Sequence, residues 1–516
     1  MGENRLCWVK VWVTDGQGSG KICIYKQKED DPDSELEAPE DPENPDIDLS
    51  TGAHFTITLQ EPGSLKQRLT NAVFQTDYDL VDFLTVKGKM GGADIAYLKA
   101  QEGLVSQLQY LDLSDVELVY DDQPYYTTTY QKNWGSFGGI VEYQTNIYTL
   151  SEENKIENGE SSFSGAVMDY VTYYRRNNLA HAFSGMQYLK QCKLPKTMTG
   201  VGESILEGCP LVKVTLPTAP TYIWGEAFYG TKLISIDLPA SVEFIGDNAF
   251  GGVPLTTIDV SHVTSIGDYC FTGSSLKSIT LSNKLKKMSK AMLAGTMITE
   301  IAIPSSVTEI GEEAFSGTKL RTVDIPASVM EIAAKTFYGC QQLGSVTMGN
   351  GVKKIGAEAF ADCTLLSDIT GIDNVEEIGN KAFGYFIPFA ENQPEEGGVK
   401  YIGKVAYKYI SGSKLNFKEG TVSIADNFID ENSDASSITS ITLPSTLRIL
   451  GNGCFKNADI SSIELPESLE KIGAQAFAFN DWGHRKIAPH HHSPKGLLHR
   501  QCSVCTHFAG ARKLQR

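Results

Sequence analysis

The sequence predicts a repeat solenoid, with a parallel β-sheet on one face, short helical or irregular segments opposite, and an α+β capping region ahead of the repeats. Three observations predict it. A phrase of the form Ile-Gly-x-x-Ala-Phe returns along the chain with a period near 22 residues. A second phrase, alternating apolar and polar residues and closed by Pro, accompanies most copies. The apolar residues recur at the same places in each copy, so one copy cannot bury them alone and stacked copies can.

The first phrase reads IGDNAF (Ile245 to Phe250), IGDYCF (Ile266 to Phe271), IGEEAF (Ile310 to Phe315), IGAEAF (Ile355 to Phe360), IGNKAF (Ile378 to Phe383) and IGAQAF (Ile472 to Phe477). Looser copies begin at Val201, Ile223, Met288, Ile332, Ile402, Ile424 and Leu450. The closing aromatic or its substitute falls at Leu206, Phe228, Phe250, Phe271, Leu293, Phe315 and Phe337, then at Phe360, Phe383, Tyr407, Ile429, Phe455 and Phe477. Phe183 adds a possible cap copy. The Gly of the phrase is expected to permit a tight turn into a short helical or irregular segment.

The second phrase reads LISIDLP (Leu233 to Pro239), ITEIAIP (Ile298 to Pro304), LRTVDIP (Leu320 to Pro326) and ISSIELP (Ile460 to Pro466). Its alternation is that of a half-buried strand. Pro ends the strand because it has no N–H to donate. Stacked at about 4.8 Å per turn, thirteen such strands would span on the order of 60 Å.

These phrases resemble the BspA-like, or Treponema-type, class of leucine-rich repeats, over roughly Asn178 to Phe479. Val399 to Asp426 resembles a variant repeat of that class. The resemblance implies a surface-exposed or secreted bacterial protein, often a lipoprotein, used in adhesion to host or neighbouring cells. It names no ligand.

Outside the repeats, residues 1–28 read as the remnant of an immunoglobulin-like β domain, with strands at Val9 to Val13 and Lys21 to Tyr25. The GQGSGK between them lacks the first Gly of a phosphate loop and has Ile22 where Ser or Thr would hold magnesium. Residues 29–52 are an acidic, Pro-rich linker. Residues 53–177 are a lead-in that covers the open end of the repeat core, with a helix expected near Leu65 to Phe74 and repeat-like alternation from Leu108 to Val119. Its aromatics Tyr120, Tyr125, Tyr126, Tyr130, Trp134, Phe137, Tyr143 and Tyr148 read as packing, with a glycan-stacking platform as the alternative. Residues 178–480 hold the repeats. Residues 481–516 form a basic His/Cys tail that breaks the repeat in mid-coil, read as disordered or out of frame. Its His490, His491, His492, Cys502, Cys505 and His507 carry one Cys-x-x-Cys without a second pair, a weak zinc signal.

With 63 acidic and 45 basic residues the net charge is −18, which argues against a nucleic-acid partner. No run of 18 apolar residues suggests a membrane span. No signal peptide opens the chain; the reading is an extracellular protein whose start has been lost by truncation. Cys209, Cys340 and Cys363 each stand three residues after a repeat phenylalanine or its equivalent. Cys340 and Cys363 could pair across neighbouring turns, or remain buried thiols.

Catalytic patterns are missing, and the firm copies contain one histidine, His262. No enzyme, cofactor or metal is expected. The expected ligand-binding face is the outward row of the strands. It begins with Lys213, Thr215, Ser235, Asp237, Thr257 and Asp259. It continues through Ser278, Thr280, Glu300, Thr322, Asp324, Ser345 and Thr347, and ends with Ser440, Thr442, Ser462 and Glu464. The functional expectation is a non-enzymatic surface protein binding a protein or cell-surface ligand through this row. The alternative is a glycan-binding protein in nutrient capture.

Overall fold

The computed structural model describes residues 9–10, 23–24, 52–121, 123–133, 141–152, 155–159, 162–164, 167–430, 433, 435–460 and 462–480. The chain falls into two units, Met1–Pro45 and Asp46–Arg516. In the first, β1 (Val9–Lys10) and β2 (Cys23–Ile24) pair antiparallel, Val9 opposite Ile24. The remainder of the expected β remnant, the glycine-rich segment, most of the linker, Trp134, Phe137 and the basic tail lie outside the described residues.

The second unit is a parallel β-solenoid of about 16 turns with little helix. Its first turns are strand–helix coils: β3 (His54–Leu59), α1 (Leu65–Val73), β4 (Phe83–Met90), α2 (Gly92–Ala100) and β5 (Tyr110–Leu118). Helix α1 buries Leu65, Leu69 and Val73, the i, i+4, i+8 stripe of an amphipathic helix. Strands β3, β4 and β5 pair in parallel, and β5 continues in register with Gln191–Lys193, which pairs with Lys213–Thr215. The lead-in and the first repeats therefore share one sheet. The buried Asp94 ties the two helices together. Its carboxylate accepts backbone N–H bonds from Gly63 (2.7 Å), Leu65 (2.9 Å) and Gly91 (3.0 Å).

Between β5 and Gln191 the chain leaves the solenoid and builds a second sheet from β6 (Pro124–Asn133), β7 (Val141–Leu150), β8 (Lys155–Asn158), β9 (Ser162–Ser164) and β10 (Val167–Arg176). Its order is β6-β7-β10-β8, with β9 also on β10. Tyr125 is buried there and donates its hydroxyl to Ala180 O at 2.8 Å. Tyr126 and Tyr148 pack their rings on His181 at 5.4 and 4.8 Å. These side chains fill a seam; in the described residues Tyr125 presents no face to a sugar.

The regular coils follow one plan, but of the four phrases read as strands from the sequence only Leu320 to Pro326 contains an extended strand. Leu233 to Pro239 and Ile298 to Pro304 run as irregular chain, and Ile460 to Pro466 shows only a bridge at Glu464 among its described residues. The long strand, as in Thr322–Ile325 and Ser345–Met348, alternates exposed and buried residues and pairs in parallel with the next coil. Pro ends it, and the N–H three residues on returns to the Pro carbonyl, as in Val307 to Pro304 at 3.0 Å. The Ser of the Ser-Val step donates its hydroxyl to the preceding coil, as Ser306 does to Leu285 O at 2.7 Å. This bond gives the step its recurring Ser.

A second parallel ladder follows, not anticipated from the sequence. Two-residue strands at Tyr222–Ile223, Phe244–Ile245, Ser265–Ile266, Lys287–Met288, Glu309–Ile310, Glu331–Ile332, Lys354–Ile355 and Glu377–Ile378 stack from coil to coil. The segment behind them, from the Ile-Gly phrase to its Phe, is turn. The Gly of the phrase does not serve a tight turn, as the spacing had suggested. It lets adjacent backbones touch: a Cβ on Gly356 would lie 2.5 Å from Ala334 N, and one on Gly379 would lie 2.6 Å from Ala357 N. The left-handed residue is instead the one two places on, such as Asn248 (φ 53°) or Glu358 (φ 55°).

The closing phenylalanines are fully buried and stack. Phe315, Phe337, Phe360 and Phe383 lie 5.3–5.5 Å apart with interplanar angles of 4–8°. Phe228, Phe250 and Phe271 form a similar run, and Leu293 interrupts the two. In the coil where Ile429 was expected to take this place, the neighbouring Phe428 faces Phe455 at 6.1 Å. Cys209, Cys340 and Cys363 are buried and unpaired. Each thiol donates to the carbonyl of an earlier coil: Cys340 to Phe315 O and Cys363 to Phe337 O, both at 3.0 Å. Those bonds leave the two thiols serving separate acceptors, and burial pushes both up in pKa, Cys340 to about 11.

The long-strand ladder is discontinuous: it lapses between Lys213–Thr215 and Thr257–Val260, between Ser278–Leu281 and Thr322–Ile325, and again after Asp368–Thr370, resuming at Lys414–Asn416. The intervening chain forms α3 (Pro388–Glu391) and a hairpin of Val399–Ile402 with Val405–Tyr409. Two apolar clusters meet at this hairpin. The solenoid bends there toward the short ladder, since Glu376 reaches Arg448 at 3.1 Å and Glu377 reaches Lys471 at 2.6 Å, several coils on.

Candidate binding faces

Alternation along each long strand sends one set of side chains into the core and the other outward. The outward set contains the residues singled out from the sequence. Lys213, Thr215, Ser235, Asp237, Thr257, Asp259, Ser278 and Thr280 are exposed. So are Glu300, Thr322, Asp324, Thr347, Ser440, Thr442, Ser462 and Glu464, while Ser345 is half-buried. Pairing brings Thr257 opposite Ser278 and Asp259 opposite Thr280, and likewise Thr322 opposite Ser345 and Asp324 opposite Thr347. Asp259 Oδ1 accepts the Ser261 N–H at 2.9 Å, which lowers its pKa.

The row is divided. Ser440 and Thr442 pair with Lys414 and Asn416, beyond the break, and do not continue from Thr347. The row also reaches further than expected. Asp368 and Thr370 extend it, and Asp112 and Lys193 extend it into the lead-in, joined at 2.8 Å. Burial opposes the Asp112 charge, yet the Lys193 ammonium and the Ser114 bonds hold its pKa down to about 2. This pair was missed because one partner lies in the lead-in strand, where the repeat phrase is absent.

The short ladder has its own outward row. Through the middle coils it is charged: Lys287 pairs with Glu309 at 2.8 Å and Glu331 with Lys354 at 2.7 Å. In the two coils before Ser265 the row is aromatic. Trp224 stands in the place of the phrase glycine, 41% exposed, with Tyr222 at 5.3 Å and Phe244 at 5.4 Å between ring centroids. Sequence reasoning read Trp224 as part of a loose repeat copy and passed over Tyr222 and Phe244, which stand just before a loose and a firm copy. The usable signal was the departure from the repeat at two successive coils, Trp for Gly and aromatics for polar residues.

In the lead-in aromatic group, Tyr125 and Tyr148 are buried, Tyr126 and Tyr143 half-buried, and Tyr120 and Tyr130 exposed. Burial, with smaller contributions from Lys99 and Arg176, lowers the His181 pKa to about 4. Burial lowers that of Lys99 to about 8; its ammonium donates to Ser184 O and Oγ, both at 2.6 Å.

Among solved structures the chain is similar to a leucine-rich repeat protein from Bacteroides ovatus, 21% identical, covering 70% of this chain and 91% of that one with a TM-score of 0.35. It is similar to a leucine-rich cell surface protein from Faecalibacterium prausnitzii, 20% identical, covering 64% and 90% with a TM-score of 0.33. The pneumococcal vaccine antigen PcpA is 18% identical, covering 71% and 93% with a TM-score of 0.30. No curated protein matches the chain. The model of the BspA type leucine-rich repeat region matches residues 179–271, 264–390 and 400–493, more than half of the sequence. With that match on the coils described above, the chain belongs to the BspA-type leucine-rich repeat family.

Proposed function

We propose that this protein is a non-enzymatic binding protein of the bacterial cell surface, engaging a protein ligand or a neighbouring cell through the long-strand face. The observation that supports the reading is the outward row itself. Small, polar, mildly acidic side chains repeat at the same place over successive coils, and a parallel ladder holds the backbone beneath them at Thr257 to Leu281 and at Thr322 to Thr370. Such a surface offers many modest contacts to an extended partner. Family membership and the surface location named for the Faecalibacterium relative support placing the chain outside the cell.

The test is a binding screen of the whole chain against matrix proteins, bacterial cells and a glycan panel. Saturable binding to a protein or cell, weakened by Asp237→Lys, Asp259→Lys and Asp324→Lys together, is the expected result. Binding to sugars alone would replace this reading with nutrient capture.

A further inference from the structure

We infer that the aromatic end of the short ladder is a second binding site, distinct from the long-strand face, for an arginine-bearing peptide segment. Three features of the structure carry this.

The first is the ring group. Tyr222, Trp224 and Phe244 lie side by side on adjacent coils, tilted at 56° and 65°, so they form a shallow angled trough and not a flat shelf. Trp224 occupies a position where other coils carry Gly246, Gly267, Ser289 or Ala333. Its exposed indole therefore contributes nothing that the fold requires there.

The second is the way the trough is shaped. Gly200, in the preceding coil, leaves room for the Tyr222 ring: a Cβ at Gly200 would fall 1.9 Å from Tyr222 Cε2. The Tyr222 hydroxyl lies 3.5 Å from Asn177 Oδ1. Asn177, which that hydroxyl meets, also lines a cavity of about 650 Å³ with Lys196, Met198, Thr199 and the exposed Tyr120 where the lead-in meets the first coils.

The third is charge. The ladder and turn residues of these coils, 199–204, 221–226, 243–248 and 264–269, include Glu203, Glu226, Glu243, Asp247 and Asp268 and no Lys or Arg. Glu203 faces Arg176 from the lead-in and Asp268 faces Lys287 from the next coil, so Glu226, Glu243 and Asp247 carry the acidic rim. Exposed Trp and Tyr faces attract cations, and Arg stacks on them more often than Lys. Carboxylates at the rim add bidentate acceptors for a guanidinium. A neutral sugar can stack on the rings and donate hydroxyls to the carboxylates, but only a cation draws on the charge of the rim, and its binding is the one that weakens with salt.

The experiment uses the whole chain and a labelled peptide of alternating arginine and glycine, read by fluorescence anisotropy. Saturable binding that weakens with salt is expected. Trp224→Ala should weaken it about tenfold, the size of a single hot-spot aromatic. Because Ala333 stands at the same place in a later coil, this variant should fold, which far-UV circular dichroism checks. Gly200→Ala, which displaces the Tyr222 ring, should weaken binding several-fold without touching any charge. Glu243→Gln with Asp247→Asn should weaken binding and flatten its salt dependence. Asp237→Lys on the long-strand face should leave it unchanged, which separates this site from the one proposed above. The inference is overturned if a glutamate–glycine peptide binds equally well, if Trp224→Ala leaves the affinity intact, or if the strand-face change abolishes binding. It is equally overturned if β-linked glucose or N-acetylglucosamine hexaoses bind through Trp224 and the arginine peptide does not.

Discussion

The lead-in coils share a sheet with the first repeats, but they and the regular coils beyond are held together differently. In the regular coils each layer repeats the last: a Phe on a Phe, a Ser hydroxyl on the preceding carbonyl, a Gly where backbones touch. In the lead-in each tie occurs once, such as Asp94 across two helix starts, Lys99 on Ser184, or His181 between tyrosines. Repetition spreads stability over many equivalent contacts, as nearest-neighbour stacking requires. Singular ties concentrate it, so damage in the lead-in should be local, specific and sensitive to conditions.

The largest test of that contrast is Phe337→Ala. Removing a ring stacked on both sides leaves a cavity in a rigid column, with an expected loss of about 3–5 kcal/mol in denaturant unfolding. Phe337→Leu should cost much less, because Leu293 already holds the equivalent place. Equal losses for the two would mean that the stack is not a distinct source of stability.

Asp94→Ala should cost about 3 kcal/mol, since three N–H groups, those of Leu65 and Gly91 buried, lose their acceptor. Hydrogen exchange should quicken in β3, α1 and α2 and stay slow from Phe315 to Phe383. Uniform loosening along the chain would erase the proposed difference between the regions.

The smallest effect is set by pH. His181 has a folded pKa of about 4 against an ordinary 6.5, so the unfolded chain binds its proton first. Its contribution is complete above pH 6.5 and is lost as the pH falls toward 4, by about 2 kcal/mol after allowing for solvent. The seam between the second sheet and the first coils should loosen over that window before the regular coils do. His181→Asn, which tolerates the left-handed backbone at this position, should flatten the dependence.

The sequence made the regular coils legible because their core is periodic: nine of the thirteen closing positions are Phe, and a misplaced one would stand out. It also separated outward from inward side chains along the phrase, since alternation decides which side chains leave the core, although Ser235, Asp237, Glu300 and Ser462 are exposed on irregular chain and not on strands. The short ladder was illegible because a strand of two residues has no alternation to read. The phrase glycine looked like a turn signal, while its purpose, contact between backbones such as Gly356 and Ala334, exists only after stacking. The break between Thr370 and Lys414 was read as a variant repeat, because its hairpin keeps the apolar spacing of a coil while changing its direction. The trough at Trp224 went unread because a departure from the repeat looks like decay until the structure places two such departures side by side.

The same break governs how the molecule would answer to mechanical tension. A solenoid anchored at one end and gripped by its ligand elsewhere is a spring whose turns are joined by hydrogen-bonded ladders. Where both ladders run, neighbouring turns resist separation together; between Thr370 and Lys414 a lapse of the long-strand ladder coincides with the end of one short-ladder sheet at Glu377–Ile378 and with the meeting of the two apolar clusters. Yielding should begin at that seam, where the Glu376–Arg448 and Glu377–Lys471 pairs act as a clasp. Beyond it, each turn of about 22 residues would release on the order of 70 Å of chain. A pulled molecule would therefore lengthen in discrete steps, dissipating force while both grips hold.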